Sequence, residues 1–579
     1  MIKHGKVVVD NTTFNKKEEN KMKKFLATAL VVILVVSMFS ACGKKADVDT
    51  KDTTSSETVA PADSSDAQGT TEGSDTPSWK KDTSPVELEW FIAYDWADLN
   101  FDPTNNAFDK YVLDNTGVTI KYTIGSQEKL NVLIATDSLP DIITYDAYSI
   151  ERKTMEDNEM LLPLDELKAN YAPDIQASDG MVKWYTNEKD NHWYSWVSYF
   201  YDLQETNDKG IVLETLNMNF ARQDIMKQLN IDPASMNTKE GFIAALQKVK
   251  DAGITYNGQK VVPYMGIDVN YLAEQFGIDR EDKDGNLMNE KRQPEYLEAI
   301  LFLNEIYNKG LTTDEIFTMD NATRKKLISS GGVFAGTSQA YLSGYDTLYY
   351  ADNNALMEAV GLIKGDGGKE SIISPSPTAG WTATMISKNC KNPERAAALL
   401  AFMTQPEVSY SYYLGGIGNC DIVDGKAVIK PECEKERSED PSTYNAKYCS
   451  SIQDFMCDYL WVEMYRPKVN QDAYEQNKKD FSNKWAKGHI FDDKIFTSVT
   501  PESGTDLAAV NVQLSEYWNQ QFPLIVMAGT AQEATQMYND TIAQMDSMGM
   551  KDLDAYQNER FHANKEKMGV TFAWPRNNQ

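Results

Sequence analysis

The stretch Val86-Glu-Leu-Glu-Trp-Phe-Ile92 alternates apolar and acidic residues and then closes on an apolar pair, the pattern of a strand entering a sheet. Downstream, Phe108, Tyr111, Val112 and Asn115 fall at helical spacing and stop at Gly117, after which Val118, Ile120 and Tyr122 alternate as a second strand. Residues 128–135 read as another helix and Leu139-Pro-Asp-Ile-Ile-Thr-Tyr145 as a third strand. Strand, helix, strand, helix, strand predicts an α/β fold with a parallel sheet. In such sheets ligands gather beyond the carboxyl ends of the strands, here the loop of Tyr94, Asp95 and Trp96 and the surroundings of Tyr145.

A second α/β unit starts near Gly210. Leu216-Asn-Met-Asn-Phe-Ala-Arg222 is strand-like, 223–229 a short helix, and Asn237-x-x-Glu240 a capping box before Phe242, Leu246 and Val249, with Gly253 as the stop. Tyr296, Ile300, Leu303 and Tyr307 make an apolar stripe ending at Gly310, and Gly332-Val-Phe-Ala-Gly336 a buried strand. Gly380-Trp-Thr-Ala-Thr-Met-Ile386 is a strand, followed by a helix with Asn392 as its cap, Pro393 at its first position and Ala396, Leu399, Leu400 and Met403 on one face; 506–550 is largely helical. At 579 residues the chain exceeds what one core supports, so two lobes are expected, each a sheet flanked by helices. We assign 85–205 with 376–440 to the first lobe and 206–375 with 441–579 to the second. A hinge is expected where the chain crosses at 202–210 and 374–379.

The head of the chain reads as an address. Lys23-Lys24 leads into the apolar run Phe25-Leu-Ala-Thr-Ala-Leu-Val-Val-Ile-Leu-Val-Val36 and then Ser37-Met-Phe-Ser-Ala-Cys42, a secretory signal over 1–41, too short for a comfortable membrane span. Lys17-Glu18-Glu19-Asn20-Lys21 can be encoded by a purine-rich ribosome-binding string, which places the expected start at Met22. Phe39-Ser40-Ala41-Cys42-Gly43 resembles a bacterial lipobox with Phe39 where Leu is usual, and implies lipidation of Cys42; the alternative is an ordinary cleaved signal and a free thiol. Residues 42–84 hold hardly an apolar side chain before Trp79, which predicts a disordered tether.

Composition excludes several functions. A formal charge of -29 without a basic cluster rules against nucleic acid. Cys390, Cys420, Cys433, Cys449 and Cys457 form no CxxC or Cys/His pattern, so no structural metal and no cofactor is expected. Beyond the signal only His192, His489 and His562 occur, with no HExxH, GxSxG or Walker motif, so the chain does not read as an enzyme. A secreted carbohydrate-active hydrolase needs only two carboxylates, which 86 acidic residues leave open. Asp282-Lys-Asp284-Gly285-Asn286 has the look of a calcium loop but lacks the downstream glycine and glutamate; a tight hairpin turn is expected.

Thr116-Gly-Val-Thr-Ile120, Lys129-Leu-Asn-Val-Leu-Ile-Ala135 and Leu139-Pro-Asp-Ile-Ile143 together resemble the opening lobe of family 1 extracellular solute-binding proteins. Gly380 to Ala396 resembles that family's return strand and helix, while Glu305-Ile-Tyr-Asn-Lys-Gly-Leu311 and Met548-Gly-Met-Lys-Asp-Leu-Asp554 resemble its large Gram-positive lipoprotein branch. The resemblance implies a two-lobed periplasmic-binding-protein-like fold of type II. It further implies a monomeric, lipid-anchored binding protein on the outer face of the cytoplasmic membrane, carrying an oligosaccharide to the permease subunits of an ABC importer. A surface sensor or adhesin would share the same body.

A pyranose offers apolar C–H faces and hydroxyl edges, so its site needs aromatic platforms and polar groups. Tyr94, Asp95, Trp96, Trp193, Trp196, Trp381 and Trp461 are the candidates from aromatic-rich stretches, each a platform or, alternatively, core packing. Asp141 either accepts sugar hydroxyls or anchors its loop, Tyr145 ends the third strand, and Arg222 either holds substrate or pairs with Asp224.

Overall fold

The computed structural model describes residues 76–577 apart from 212, 214, 216, 340–343, 376, 468–472 and 503. The signal segment, Cys42 and most of the tether lie outside the described residues. No helix among the described residues is long and apolar enough to cross a membrane.

The alternation at 86–92 is realised as β1 (Val86–Ile92), which pairs in parallel with β2 (Val118–Ile124) along its whole length and with β3 (Ile142–Asp146) from Trp90 to Ile92. Asn106 caps the intervening helix Ala107–Thr116 by accepting from Asp109 N, and Gly117 ends it at φ 68. A Cβ at Gly117 would stand 2.1 Å from the Thr83 carbonyl oxygen, so the stop that marked the helix end also lets two backbones touch. β4 (Trp196–Val197) and β11 (Thr382–Ile386) complete the sheet in the order β2-β1-β3-β11-β4. The sheet is therefore mixed, not wholly parallel: β11 runs antiparallel to β3, because the chain re-enters this lobe at the carboxyl edge and travels back down.

The second sheet has the order β10-β5-β9-β8, with β5 (Asn217–Arg222), β8 (Val262–Met265), β9 (Val333–Gln339) and β10 (Met357–Ala359). β5 is antiparallel to β9 and β10, and β8 is parallel to β9. Two hairpins stand apart, β6 (Thr255–Tyr256) with β7 (Gln259–Lys260) and β12 (Cys420–Val423) with β13 (Lys426–Ile429). The helix Lys239–Ala252 starts one residue later than the capping-box reading, with Thr238 accepting from Gly241 N, because Asn237 is taken up in the preceding turn Pro233–Asn237. The late helices are Asp506–Val526, Ala531–Ser547 and Met550–Met568.

Each sheet builds its own core. Trp90, Phe91, Ile143, Leu399 and Leu400 belong to the first, Phe242, Leu246, Tyr264, Ile300 and Phe334 to the second. Ile452, Phe455, Met456, Phe496, Phe561 and Trp574 also pack into the first core, although sequence reading gave 441–579 to the second lobe. The chain re-crosses between the lobes several times, and apolar periodicity is blind to which of two cores a helix face will meet. The tether also ends earlier than expected. Trp79 packs edge-on against Phe402 at 6.0 Å, Ser78 N donates to Asp174 Oδ2 at 2.6 Å, and Arg395 holds the Ser84 carbonyl at 2.9 Å.

Candidate functional site

β1 leaves the first sheet with Ala93 N donating to Thr144 O (3.0 Å), and Ala97 N bonds back to Tyr94 O (3.0 Å), so 94–96 turn tightly over the carboxyl edge. β11 enters at that edge with Thr382 opposite Asp146, and Ala147 N donates to Trp381 O at 2.9 Å. Thr382 Oγ1 in turn donates to Phe455 O at 2.9 Å, drawing the helix Ile452–Phe455 beneath the loop. The result is an aromatic floor. The Tyr94 ring lies 5.3 Å from Trp96, 5.7 Å from Tyr145, 5.8 Å from Trp381 and 5.5 Å from Phe455. Trp96 is near-parallel to Trp381 (6.1 Å, 7°) and to Phe455 (5.7 Å, 24°), while Trp381 and Phe455 lie 5.3 Å apart. Trp96 is 63% exposed, an unusual state for so large an apolar ring held in fixed neighbours.

A tyrosine relay extends the floor. Tyr199 sits at φ 55, a left-handed conformation that costs an aromatic residue energy and marks a position the surroundings over-determine. Its ring is 6.1 Å from Trp381 and stacks on Tyr459 at 5.9 Å; its hydroxyl donates to Asp454, which also accepts from Tyr413 at 2.7 Å. Burial raises the Asp454 carboxyl above the usual range, opposed by the two tyrosine hydrogen bonds. Burial likewise raises Asp146, which accepts from Tyr148 N at 2.8 Å beside the floor. The arrangement presents flat apolar faces rimmed by carboxylates and phenols, able to stack on a ring and accept from its hydroxyls.

Of the residues singled out in the sequence, Tyr94, Trp96, Tyr145 and Trp381 come together here, with Asp95 exposed on the same turn. The others do not join them. Trp193 and Trp196, each 1% exposed, are core residues whose ring N–H groups donate to Ser195 O (2.6 Å) and Gln176 O (2.8 Å). Asp141 precedes β3 at its amino end and anchors neighbours, accepting from Glu89 N (2.9 Å) and Lys391 N (3.3 Å). Arg222 is fully buried at the carboxyl end of β5, bidentate to Asp224 (2.8 and 2.6 Å) and bonded to Gly331 O, so the pairing alternative is the one realised. Trp461 faces the Lys209 ammonium at 5.9 Å, and it is Tyr459 from the same helix that reaches the relay. Phe455, Tyr199, Tyr459, Tyr413 and Asp454 were missed; of these only Tyr199 stood in a stretch already noticed for its aromatic density.

The lobes meet at a knot of hydrogen bonds. Tyr201 N donates to Thr378 O (2.9 Å), Thr378 N to Asp493 Oδ1 (2.8 Å), and the buried Lys494 ammonium to Tyr201 O (2.7 Å) while pairing with Asp492 (2.9 Å). Thr215 Oγ1 donates to Ser374 O at 3.0 Å, and Ile373 N to His489 O at 2.8 Å. A later crossing at 489–494, one of several by which the chain passes between the cores, is thus bonded to the two expected ones. The 282–286 segment is the tight turn anticipated, with Asp282 Oδ1 accepting from Asp284 N and Asn286 N. Its interior holds the Lys565 ammonium, 2.6 Å from Glu281 and 2.9 Å from Gly285 O. Among the described residues no group of three or more His, Cys, Asp or Glu is placed to hold a metal.

Comparison with known proteins places this geometry. The family model described as bacterial extracellular solute-binding protein matches residues 101–409. Lipoprotein LipO of Bacillus subtilis (strain 168) is 22% identical over 380 residues, 61% of this chain and 70% of that protein. Among solved structures, an extracellular solute-binding protein from Bifidobacterium longum subsp. infantis has a TM-score of 0.63 at 14% identity, covering 83% of this chain and 98% of its own. Alginate-binding protein AlgQ2 has 0.60 at 16%, covering 84% and 100%. The Streptococcus pneumoniae ABC-transporter substrate-binding protein FusA, solved with kestose, has 0.59 at 16%, covering 83% and 100%. At these identities the structures establish the two-lobed fold, and the family model spans more than half the chain: the protein belongs to the bacterial extracellular solute-binding proteins.

Proposed function

We propose that this chain is the lipid-anchored substrate-binding component of an ABC importer, which captures an oligosaccharide between its lobes and delivers it to a membrane permease. The observation that carries the reading is the exposed Trp96 ring over Trp381, Tyr94 and Phe455 at the carboxyl edge of the first sheet. A flat, preformed apolar face with Asp95 on the same turn and Asp146 at the end of β3 matches the alternating apolar and hydroxyl character of a pyranose. The likeness to FusA, solved with kestose, and to the alginate-binding AlgQ2 supports a sugar as the ligand class. The lipobox-like Cys42 and the relative named a lipoprotein support the anchor.

The test is titration calorimetry on a soluble form spanning 76–579, which keeps Trp79, against panels of oligosaccharides, peptides and amino acids. Saturable binding of an oligosaccharide, recovered unchanged by mass spectrometry after long incubation, supports the reading. Binding confined to peptides or amino acids, or conversion of the sugar to shorter products, overturns it.

A further inference from the structure

The second lobe carries a groove that the aromatic floor does not use. β5 begins just beyond the crossing where Thr215 bonds to Ser374; β9 runs antiparallel to β5 and β8 parallel to β9, so the carboxyl ends of β8 and β9 lie on the crossing edge of this lobe. There the loop after β8 opens into a cavity of about 570 Å³ walled by Asn270, Lys291, Tyr296, Asn511, Trp518 and Asn519 among others. It shares Asn289, Lys291 and Gln557 with a second hollow of about 190 Å³ that reaches Phe496 of the first core.

Lys291 is the unusual member. Its ammonium lies over the Trp518 ring at 5.3 Å and the Tyr296 ring at 5.7 Å, and among the described residues it has neither a hydrogen-bond acceptor nor an ion-pair partner. Its backbone is fixed at both ends, the N–H donating to Asn289 Oδ1 (3.0 Å) and the carbonyl accepting from the Tyr538 hydroxyl. Asp554 is engaged with Arg292 (2.8 Å) and Asn289 (2.6 Å) and Glu290 with Arg280 (3.1 Å), while Asp268 on the cavity wall accepts from Tyr271 N (3.0 Å) and is raised above the usual carboxylate range by burial. Lys291 is half-buried, and burial lowers the ammonium's pKa while Glu290 and Asp554 oppose the shift. A cation with no acceptor among the described residues, in a cavity whose wall combines amides, aromatic rings and the Asp268 carboxyl, leaves room for an anion borne on a polar scaffold.

We propose that this groove is a second saccharide subsite, in which Lys291 receives the carboxylate or sulfate of an acidic sugar residue. The inference rests on the carbohydrate reading for its scaffold, while the anion preference rests on Lys291 itself. The side-chain amides of Asn270, Asn511 and Asn519 address hydroxyls, and the ammonium, steadied by two ring faces, addresses the charge.

Two measurements test it. In calorimetry with the soluble 76–579 form, uronate oligosaccharides are compared with their carboxyl-reduced counterparts and with sulfated equivalents. The acidic forms are expected to bind wild type roughly tenfold more tightly than the reduced ones. Lys291→Met should erase that preference and Lys291→Arg retain it, whereas Trp96→Ala should weaken both forms. A preference confined to the carboxylate or to the sulfate ester identifies the group; a preference that survives Lys291→Met, or is absent in wild type, overturns the subsite while leaving the aromatic floor standing. If no oligosaccharide binds wild type, the carbohydrate reading of the floor fails, and the groove is judged on the second measurement. In that measurement, NMR of isotope-labelled lysine ammonium groups is titrated with glucuronate and with sulfate alone. A saturable shift of the Lys291 signal, assigned by its loss in Lys291→Met, supports anion capture; an unmoved signal refutes it, including where a variant fails to fold.

Discussion

Replacing Trp96 by Ala separates the platform from the core. An aromatic side chain of this size carries up to about 250 Å² of surface, and 63% of Trp96 remains exposed in the empty protein. A sugar ring laid on the free face covers roughly half of the exposed part, about 75 Å², worth ~2 kcal/mol at about 25 cal/mol per Å². That is a loss of about thirtyfold in affinity. The part already covered by Trp381 and Phe455 contributes at most a similar amount to the empty fold, an upper bound because the unfolded chain buries some of it too. In a chain of 579 residues this displaces the melting midpoint by a few degrees at most. The assay is calorimetric titration with the best oligosaccharide from the panel, beside differential scanning calorimetry of ligand-free wild type and variant. Unchanged affinity, or a ligand-free melting loss as large as that of a buried tryptophan, would refute the platform.

Trp196→Ala supplies that comparison: fully enclosed, with its N–H on Gln176 O, it is expected to cost about 3–5 kcal/mol in chemical denaturation. Glu274→Gln is expected to flatten the pH dependence of stability. Burial pushes the Glu274 carboxyl up to about 8 from 4.5, against two hydrogen bonds from Ser374 and the nearby Arg280. The folded state therefore keeps a proton that the unfolded state has released across that window, and wild-type stability falls there by up to ~1.4 kcal/mol per pH unit. Denaturation at pH 5 and pH 8 reads the difference, and an equal slope in the variant defeats the assignment. Lys565→Met should destabilise the fold by roughly 3–5 kcal/mol, because it strands the buried Glu281 carboxylate, and a neutral result in thermal melts would show the pair to be dispensable. Cys42→Ala in the full chain is expected to move the protein from the membrane fraction to the medium without altering its melting, and retention after salt washing would rule out the lipid anchor.

The first three strands were legible because each declares itself locally: alternation in β1 and β2, a glycine stop between them, and a short apolar run in β3. The place of the loop after β1, over the carboxyl edge of the sheet, was legible for the same reason, since a strand's direction fixes where its end lies. Aromatic density was a poorer guide. Trp193 and Trp196 stand within one aromatic-rich stretch, yet backbone carbonyls satisfy their ring nitrogens inside the core. Asp141 failed on direction: it precedes β3, so it lies at the opposite end of that strand from Tyr145. Phe455 and Tyr459 could not be read at all, because they reach the floor only through a return of the chain some 360 residues after Trp96, with no periodicity to announce which core they join.

The crossing at 489–494 changes what lobe closure would involve. Two crossings joined by short polar linkers would leave the lobes free to bend and to slide. Here Thr378 is held from three sides, by Tyr201 on the outgoing chain and by Asp493 and Lys494 on the later crossing, while Lys494 spans from Asp492 to the Tyr201 carbonyl. These bonds fix the distance between the segments and leave rotation about them as the softer motion, because a hydrogen bond tolerates tilting better than stretching. If the lobes close on a ligand at the Trp96 floor, rotation about this knot would leave its bonds intact. Lys494 is buried and already paired with the partly exposed Asp492, so the free energy of any closure would have to come from ligand contacts made to both lobes and not from relief at the hinge. A ligand that reached only the aromatic floor would bind without closing the protein; one that also engaged the Lys291 groove would supply the differential affinity that closure requires.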